Sequence, residues 1–269
     1  MSDFSHILVP FDNSPPSKAA LKTAIDLSKV FGSQITSVYV NIGKKDKTAE
    51  VKEAIAEVNK TYSKEVTLVL PTGKMYKEVV RTAEDVQADA IVMGSHGSSA
   101  RDMFFIGSNA YRVVSSSHIP VITLPESFTS GVFKKIVVPI DQSKETRQKI
   151  PMVAELAKKF NSKVHLFGTS KYDDDESRLK VKQYISQSID LLKESEVETS
   201  TSTLFGKNIA KATLEWADNE SADLIVMMAE SEPSSGLFMG TNAQQVVNRS
   251  SVPVLTLHAK DVGITYAGY

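Results

Sequence analysis

Two short clusters have residue types and spacing suited to holding a ligand. The first is Pro10-Phe11-Asp12-Asn13-Ser14, at the end of the apolar run 6–11. A carboxylate there can accept hydrogen bonds from a hydroxyl or amino group. It can equally satisfy the backbone N–H groups of a helix-entry turn. The second cluster is Gly94-Ser95-His96-Gly97, followed after nine residues by Gly107-Ser108-Asn109. Glycine lets a backbone approach a ligand closely or take positive φ. A helix opening at 107 offers unpaired N–H groups, the positive end of its dipole and the Ser108 hydroxyl, a combination suited to phosphate. The dipole alone contributes about 0.3–1 kcal/mol, so hydrogen bonds must supply much of any affinity. Either glycine pair by itself also describes an ordinary loop before a capped helix. Their combined spacing at one strand end is the stronger signal.

The elements that must position these clusters alternate along the chain. Apolar runs at 6–11, 34–40, 66–70, 90–93 and 119–124 predict buried strands. Helical patterns lie between them. One starts at Ser14-Pro15-Pro16, with Ser14 as cap, and stops at Phe31-Gly32. Others cover 48–62, 74–87 and 107–117. The second half repeats this order, with a long helix near 174–194. HILVPFDNS at 6–14 resembles KIVVPIDQS at 135–143, ADAIVMGS at 88–95 resembles ADLIVMMA at 222–229, and IGSNAYRVVSSSHIPVITL at 106–124 resembles MGTNAQQVVNRSSVPVLTL at 239–257. Phe31 matches Phe160. The chain therefore divides into two homologous domains, 1–128 and 133–269, joined by the linker PESFTSGVF at 125–133. The alternation predicts an α/β fold of two tandem, doubly wound, parallel five-stranded sheets. Ligands of such sheets sit beyond the carboxyl ends of the strands.

With the G-x2-G-x9-G-S pattern at 94–108 and Pro10-Phe11-Asp12 after strand one, the sequence resembles the universal stress protein family over nearly its whole length, twice. The resemblance implies the adenine-nucleotide alpha-hydrolase-like sheet with strand order 3-2-1-4-5. It also implies ATP, ADP or AMP as ligand, with any Mg²⁺ held by the phosphates, and a stress-response role. Carried over by position, Asp12 faces adenine or ribose and Pro10 shapes the turn beneath the base. Val40 offers its backbone to adenine. Met93 and Gly94 line the nucleoside, and Gly97 belongs to the phosphate loop. Gly107, Ser108 and Asn109 hold the phosphates. Single-domain members commonly dimerise through edge strands; here 119–124 and 252–257 are expected to pair within one chain. Further homodimerisation and a protein partner stay open.

The second half departs from the pattern. Asp141 and Gly240-Thr241-Asn242 remain, but Met228-Ala229-Glu230-Ser231-Glu232 replaces the first two glycines and Thr169 replaces Val40. Bulk and negative charge there oppose phosphate, so one working nucleotide site per chain is expected, in domain one.

Composition narrows the function classes. Among 269 residues, 31 are basic and 32 acidic, giving a formal net charge of −1, which argues against non-specific nucleic-acid binding. There is no Cys, which removes disulfides, thiolate metal sites and Cys nucleophiles. No signal-peptide pattern and no membrane span are expected, which fits a cytoplasmic protein. The sequons at Asn59, Asn219 and Asn248 are then chance matches. His6, His118, His165 and His258 lack metal-ligand spacing. His96, Arg101 and Arg112 could reach a phosphate but read more simply as solvated charge. The acidic run 173–176 suits a helix N-terminus, and Trp216 suits a core. The tail at 261–269 carries Tyr266 and Tyr269.

Gly43-Lys44, Gly73-Lys74 and Gly206-Lys207 are not followed by Ser or Thr, so there is no G-x4-G-K-[ST] loop. No dedicated metal carboxylate or water-activating base is evident, so slow ATP hydrolysis is the most to expect. The competing readings are a nucleotide-binding regulator, a slow hydrolase and a nucleotide-independent scaffold. A response regulator would need an Asp after strand three, where Leu70-Pro71-Thr72 stands. A flavodoxin would need more free N–H groups than Asn13-Ser14-Pro15-Pro16 supplies.

Overall fold

The structure, a computed structural model, describes residues 4–41, 46–95, 107–125, 128, 132–229 and 239–259. The first half runs β1 (His6–Pro10), α1 (Pro15–Phe31), β2 (Gln34–Val38), α2 (Thr48–Tyr62), β3 (Val66–Val69), α3 (Met75–Asp85), β4 (Ala90–Gly94), α4 (Ser108–Ser116) and β5 (Val121–Leu124). The second runs β6 (Lys135–Ile140), a 3₁₀ turn at Lys144–Arg147, α5 (Ile150–Phe160), β7 (Lys163–Ser170), α6 (Asp175–Glu194), β8 (Thr199–Phe205), α7 (Ile209–Asn219), β9 (Leu224–Met228), α8 (Thr241–Arg249) and β10 (Val254–Leu257). Each half is a parallel sheet, and the two join in one mixed sheet of order β3-β2-β1-β4-β5-β10-β9-β6-β7-β8.

Helices on both faces explain why the strands read as continuous apolar runs. Along β1, Ile7 and Val9 enter one core cluster and Leu8 the other, all fully buried. α1, α2, α5 and α6 cover the first cluster, and α3, α4, α7 and α8 the second.

The halves meet through β5 and β10, antiparallel, with Leu255 opposite Ile122. The Thr123 hydroxyl donates to the Val254 carbonyl and the Thr256 hydroxyl to the Val121 carbonyl, both at 3.2 Å. These are matching residues of the two repeats, so each half gives what it receives, as a near two-fold relation requires. Phe31 and Phe160, another matched pair, meet edge to face at 5.9 Å. The pairing covers two strand edges that would otherwise be open.

Local details differ from the sequence-based expectation, among them β5, which starts at Val121 rather than 119, and α3, which ends at Asp85 rather than 87. Ser14 does not cap α1 through its side chain. Pro15 and Pro16 remove two of the N–H groups a cap would serve, and the Ser14 hydroxyl turns back to Asp12 instead. β2 ends at Val38 rather than Val40, because the register brings Val40 level with Pro71, which has no N–H to extend the ladder. The first turn of the helix after β6 is a separate 3₁₀ turn. Pro151 cannot donate to the Arg147 carbonyl, so the helix starts afresh at Ile150. Gly32 ends α1 as expected, in the left-handed region at φ 75°, donating its N–H to the Ser28 carbonyl at 2.9 Å.

Candidate nucleotide site

Parallel pairing of β1 with β2 and β4 brings Asp12, Val40 and Gly94 to one edge of the sheet, beyond the strands' carboxyl ends. Phe11 N–H donates to the Val38 carbonyl at 2.9 Å, which seats the turn after β1 against the end of β2. Asp12 Oδ1 accepts from the Ser14 N–H at 3.1 Å and the Ser14 hydroxyl at 2.5 Å. Asp12 N–H donates to Ser17 Oγ at 3.3 Å. One carboxylate oxygen thus holds the helix-entry turn, while Oδ2 makes no hydrogen bond among the described residues. Val40 and Met93 are buried, and Gly94 is half-buried.

At the end of β4, Ser95 N–H donates to the Leu124 carbonyl, and Gly107 N–H donates to the Ser95 carbonyl, both at 2.8 Å. The second bond ties the start of α4 one residue past the strand. Gly107 is the N-cap, no side chain caps the helix, and its first turn holds no acidic residue. The N–H groups of Ser108 and Asn109 therefore lie at an uncapped positive helix end. By contrast, Asp174 caps α6, accepting from Ser177 N–H at 2.8 Å, and Asn208 caps α7, accepting from Lys211 N–H at 2.8 Å. The acidic run 173–176 is accounted for by that cap. Gly97, His96 and Arg101 lie outside the described residues, as do Tyr266 and Tyr269.

A model of the universal stress protein family matches residues 3–125 and again residues 133–258. The chain belongs to the universal stress protein family. It is similar to a universal stress protein of Methanocaldococcus jannaschii, 26% identical over 139 residues, 45% of this chain and 82% of that one. A solved universal stress protein of Archaeoglobus fulgidus superposes with a TM-score of 0.78 at 20% identity, covering 96% of this chain and 99% of that one; the likeness is one of fold. Another from Archaeoglobus fulgidus was solved in complex with dAMP, with 21% identity, 48% of this chain and 99% of that one covered, and a TM-score of 0.40.

The second universal stress protein domain keeps the frame and changes the filling. Asp141 Oδ1 accepts from the Ser143 N–H at 2.8 Å and its hydroxyl at 2.5 Å, as Asp12 does from Ser14. Gly240 N–H donates to the Ala229 carbonyl at 2.8 Å, repeating the closure by Gly107. Met228 stands buried where domain one has Gly94, and Thr169 is fully buried where it has Val40. Glu230 and Glu232 lie outside the described residues. A cavity of about 690 Å³ opens above the ends of β6 and β7, lined by Asp141, Ser143, Ser170, Asp174, Ser177 and Asn242 among others.

Beneath this turn lies a group that sequence reading missed. Lys149 is 1% exposed and occupies the place of Ala20 in the repeat. Its Nζ donates to the Thr146 carbonyl at 2.5 Å and Thr146 Oγ1 at 3.0 Å. Burial pushes its pKa down to about 8, and the Asp141 carboxylate opposes that shift. A lysine whose folded pKa lies below its ordinary 10.5 stabilises the fold least below pH 8. As pH rises from 8 to 10.5 the folded state is neutral while the unfolded state still holds its proton, so stability rises, by about 3 kcal/mol in all. Lys149→Met is therefore expected to stabilise the chain by about 1–3 kcal/mol at pH 7, net of two lost hydrogen bonds. Urea unfolding of both chains should show that advantage shrinking between pH 8 and 10. A variant less stable at pH 7 would contradict it.

Three further side chains have local partners. His165 lies between Ser200 Oγ at 2.9 Å and Ser202 Oγ at 2.7 Å, and stacks on Trp216 at 5.2 Å. Trp216 also stacks on Phe167 at 5.3 Å. Burial pushes the His165 imidazole below its ordinary pKa. Arg112 lies 5.4 Å from the Tyr76 ring centroid. No cluster of three or more metal-ligating side chains occurs among the described residues, and no described helix is long and apolar enough to cross a membrane.

Proposed function

We propose that domain one binds one adenine nucleotide, with ATP as the leading ligand and ADP and AMP as alternatives, and that the chain is a cytoplasmic stress-response regulator. Domain two acts as its built-in pseudo-dimer partner. The observation that carries this reading is the uncapped, acid-free start of α4, tied by Gly107 to the end of β4 beside the Asp12 turn. Such a helix end suits phosphate oxygens, with Ser108 adding a hydroxyl. The buried Val40 and Met93 suit a base and sugar, for which the free oxygen of Asp12 supplies an acceptor. Any Mg²⁺ is carried by the phosphates, with Gly97 in the phosphate loop and Pro10 below the base.

The test is isothermal titration of the full chain with ATP and Mg²⁺, beside the Asp141→Ala chain. Both should bind with the same affinity, because Asp141 lies in the half where Met228 fills the glycine position. A clear loss in Asp141→Ala would assign binding to domain two. No heat and no binding in the parent chain would leave a nucleotide-independent scaffold.

A further inference from the structure

Among the described residues the ten-stranded sheet ends in two unpaired edges, β3 and β8, and they are built differently. β3 has four residues and is soon followed by Pro71. Its outward backbone at Val66 is occupied: Val66 N–H donates to Asn59 Oδ1 at 3.0 Å, and Asn59 Nδ2 donates to the Val66 carbonyl at 3.4 Å. Short length, proline and a covering side chain are devices that stop sheets from joining edge to edge.

Among the described residues β8 has none of them. Its seven residues, Thr-Ser-Thr-Ser-Thr-Leu-Phe, include no charge, proline or glycine. Val164 N–H donates to the Glu198 carbonyl at 2.9 Å, and Gly206 N–H donates to the Ser170 carbonyl at 3.0 Å. Even-numbered residues thus face β7, and the alternation of a parallel ladder turns the N–H and C=O of Thr199, Thr201, Thr203 and Phe205 outward. Those groups find no hydrogen-bond partner among the described residues.

We propose that β8 pairs antiparallel with β8 of a second copy of this chain, about a two-fold axis at Ser202. That axis sets Thr201 opposite Thr203 and Thr199 opposite Phe205, so every outward group meets its complement. Thr–Thr cross-strand pairs are favourable, and no like charges face each other along the strand. The interface is isologous, the commonest form of dimer. It also joins the two sheets so that, among the described strands, only the β3 edges remain, where Asn59 already occupies the Val66 backbone. A second copy is favoured over a foreign strand because the small, uncharged side chains select no particular partner, whereas the two-fold register fits β8 to itself.

The absence of Cys makes the test direct. Residues facing each other on the axis form a non-hydrogen-bonded pair with Cα atoms about 4.5 Å apart, within disulfide range. Light scattering of the full chain should give twice the chain mass at micromolar concentration. Ser202→Cys should form a disulfide-linked dimer on oxidation, while Glu57→Cys on α2 should not. Thr201→Lys should halve the mass while the chain keeps a cooperative thermal transition, its midpoint lowered only by the lost association. A parent chain of single mass, or a dimer that Ser202→Cys fails to crosslink, overturns the proposal.

Discussion

The Gly107→Glu chain should fold normally and bind adenine nucleotide at least about 100-fold more weakly than the parent, a loss of roughly 3 kcal/mol. Normal folding is expected because Gly107 has φ −55° and ψ 138°, a conformation open to any residue, and its side-chain position is not needed to cap α4. The binding loss has two sources. A carboxylate at the N-cap can take the first-turn N–H groups for itself, and it places negative charge where the phosphates are proposed to sit. Equilibrium dialysis with labelled ATP, together with a thermal melt, separates the two effects. Parent-like affinity in a folded Gly107→Glu chain would remove the phosphate role of this helix end.

The second large effect belongs to the seam between the halves. Ile122→Asp should cost about 4 kcal/mol or more, enough to abolish the cooperative urea transition of a marginally stable chain. Ile122 is 0% exposed, sits opposite Leu255 and lies in the middle of the ten-stranded sheet, so a carboxylate there has neither water nor a cationic partner. Ile122→Val, which removes one methylene from the same place, should cost only about 0.5–1.5 kcal/mol. The contrast separates burial of an unpaired charge in the core from loss of a single buried methylene. An Ile122→Asp chain with the parent's urea midpoint would mean that Ile122 is not buried in the core beneath the seam.

Much of this architecture was legible because the local chemistry of the sequence is consistent. α2 was expected at 48–62 and occupies Thr48–Tyr62, while the long helix expected near 174–194 is Asp175–Glu194. The repeat revealed the doubling, since Phe31 and Phe160 keep their places in both halves and meet in space. Strand order came from the family resemblance, since apolar runs alone do not say which strands are neighbours. The site was legible as positions rather than contacts. Asp12 and Gly107 stood out by spacing, but spacing could not show that one Asp12 oxygen holds Ser14, or that Gly107 closes on Ser95. Two further features were hidden for physical reasons. Lys149 reads as a surface charge until the fold buries it, although its alignment with Ala20 was the available signal. The difference between the sheet edges depends on Asn59 reaching Val66 from a neighbouring helix, which strand patterning does not encode.

A single competent nucleotide site per chain is what the proposed function most requires. Native mass spectrometry of the full chain, equilibrated with ATP and Mg²⁺, counts bound nucleotide per chain directly. One nucleotide per chain is expected, retained in Asp141→Ala and absent in Gly107→Glu. Two nucleotides per chain, or one that survives Gly107→Glu, would contradict it.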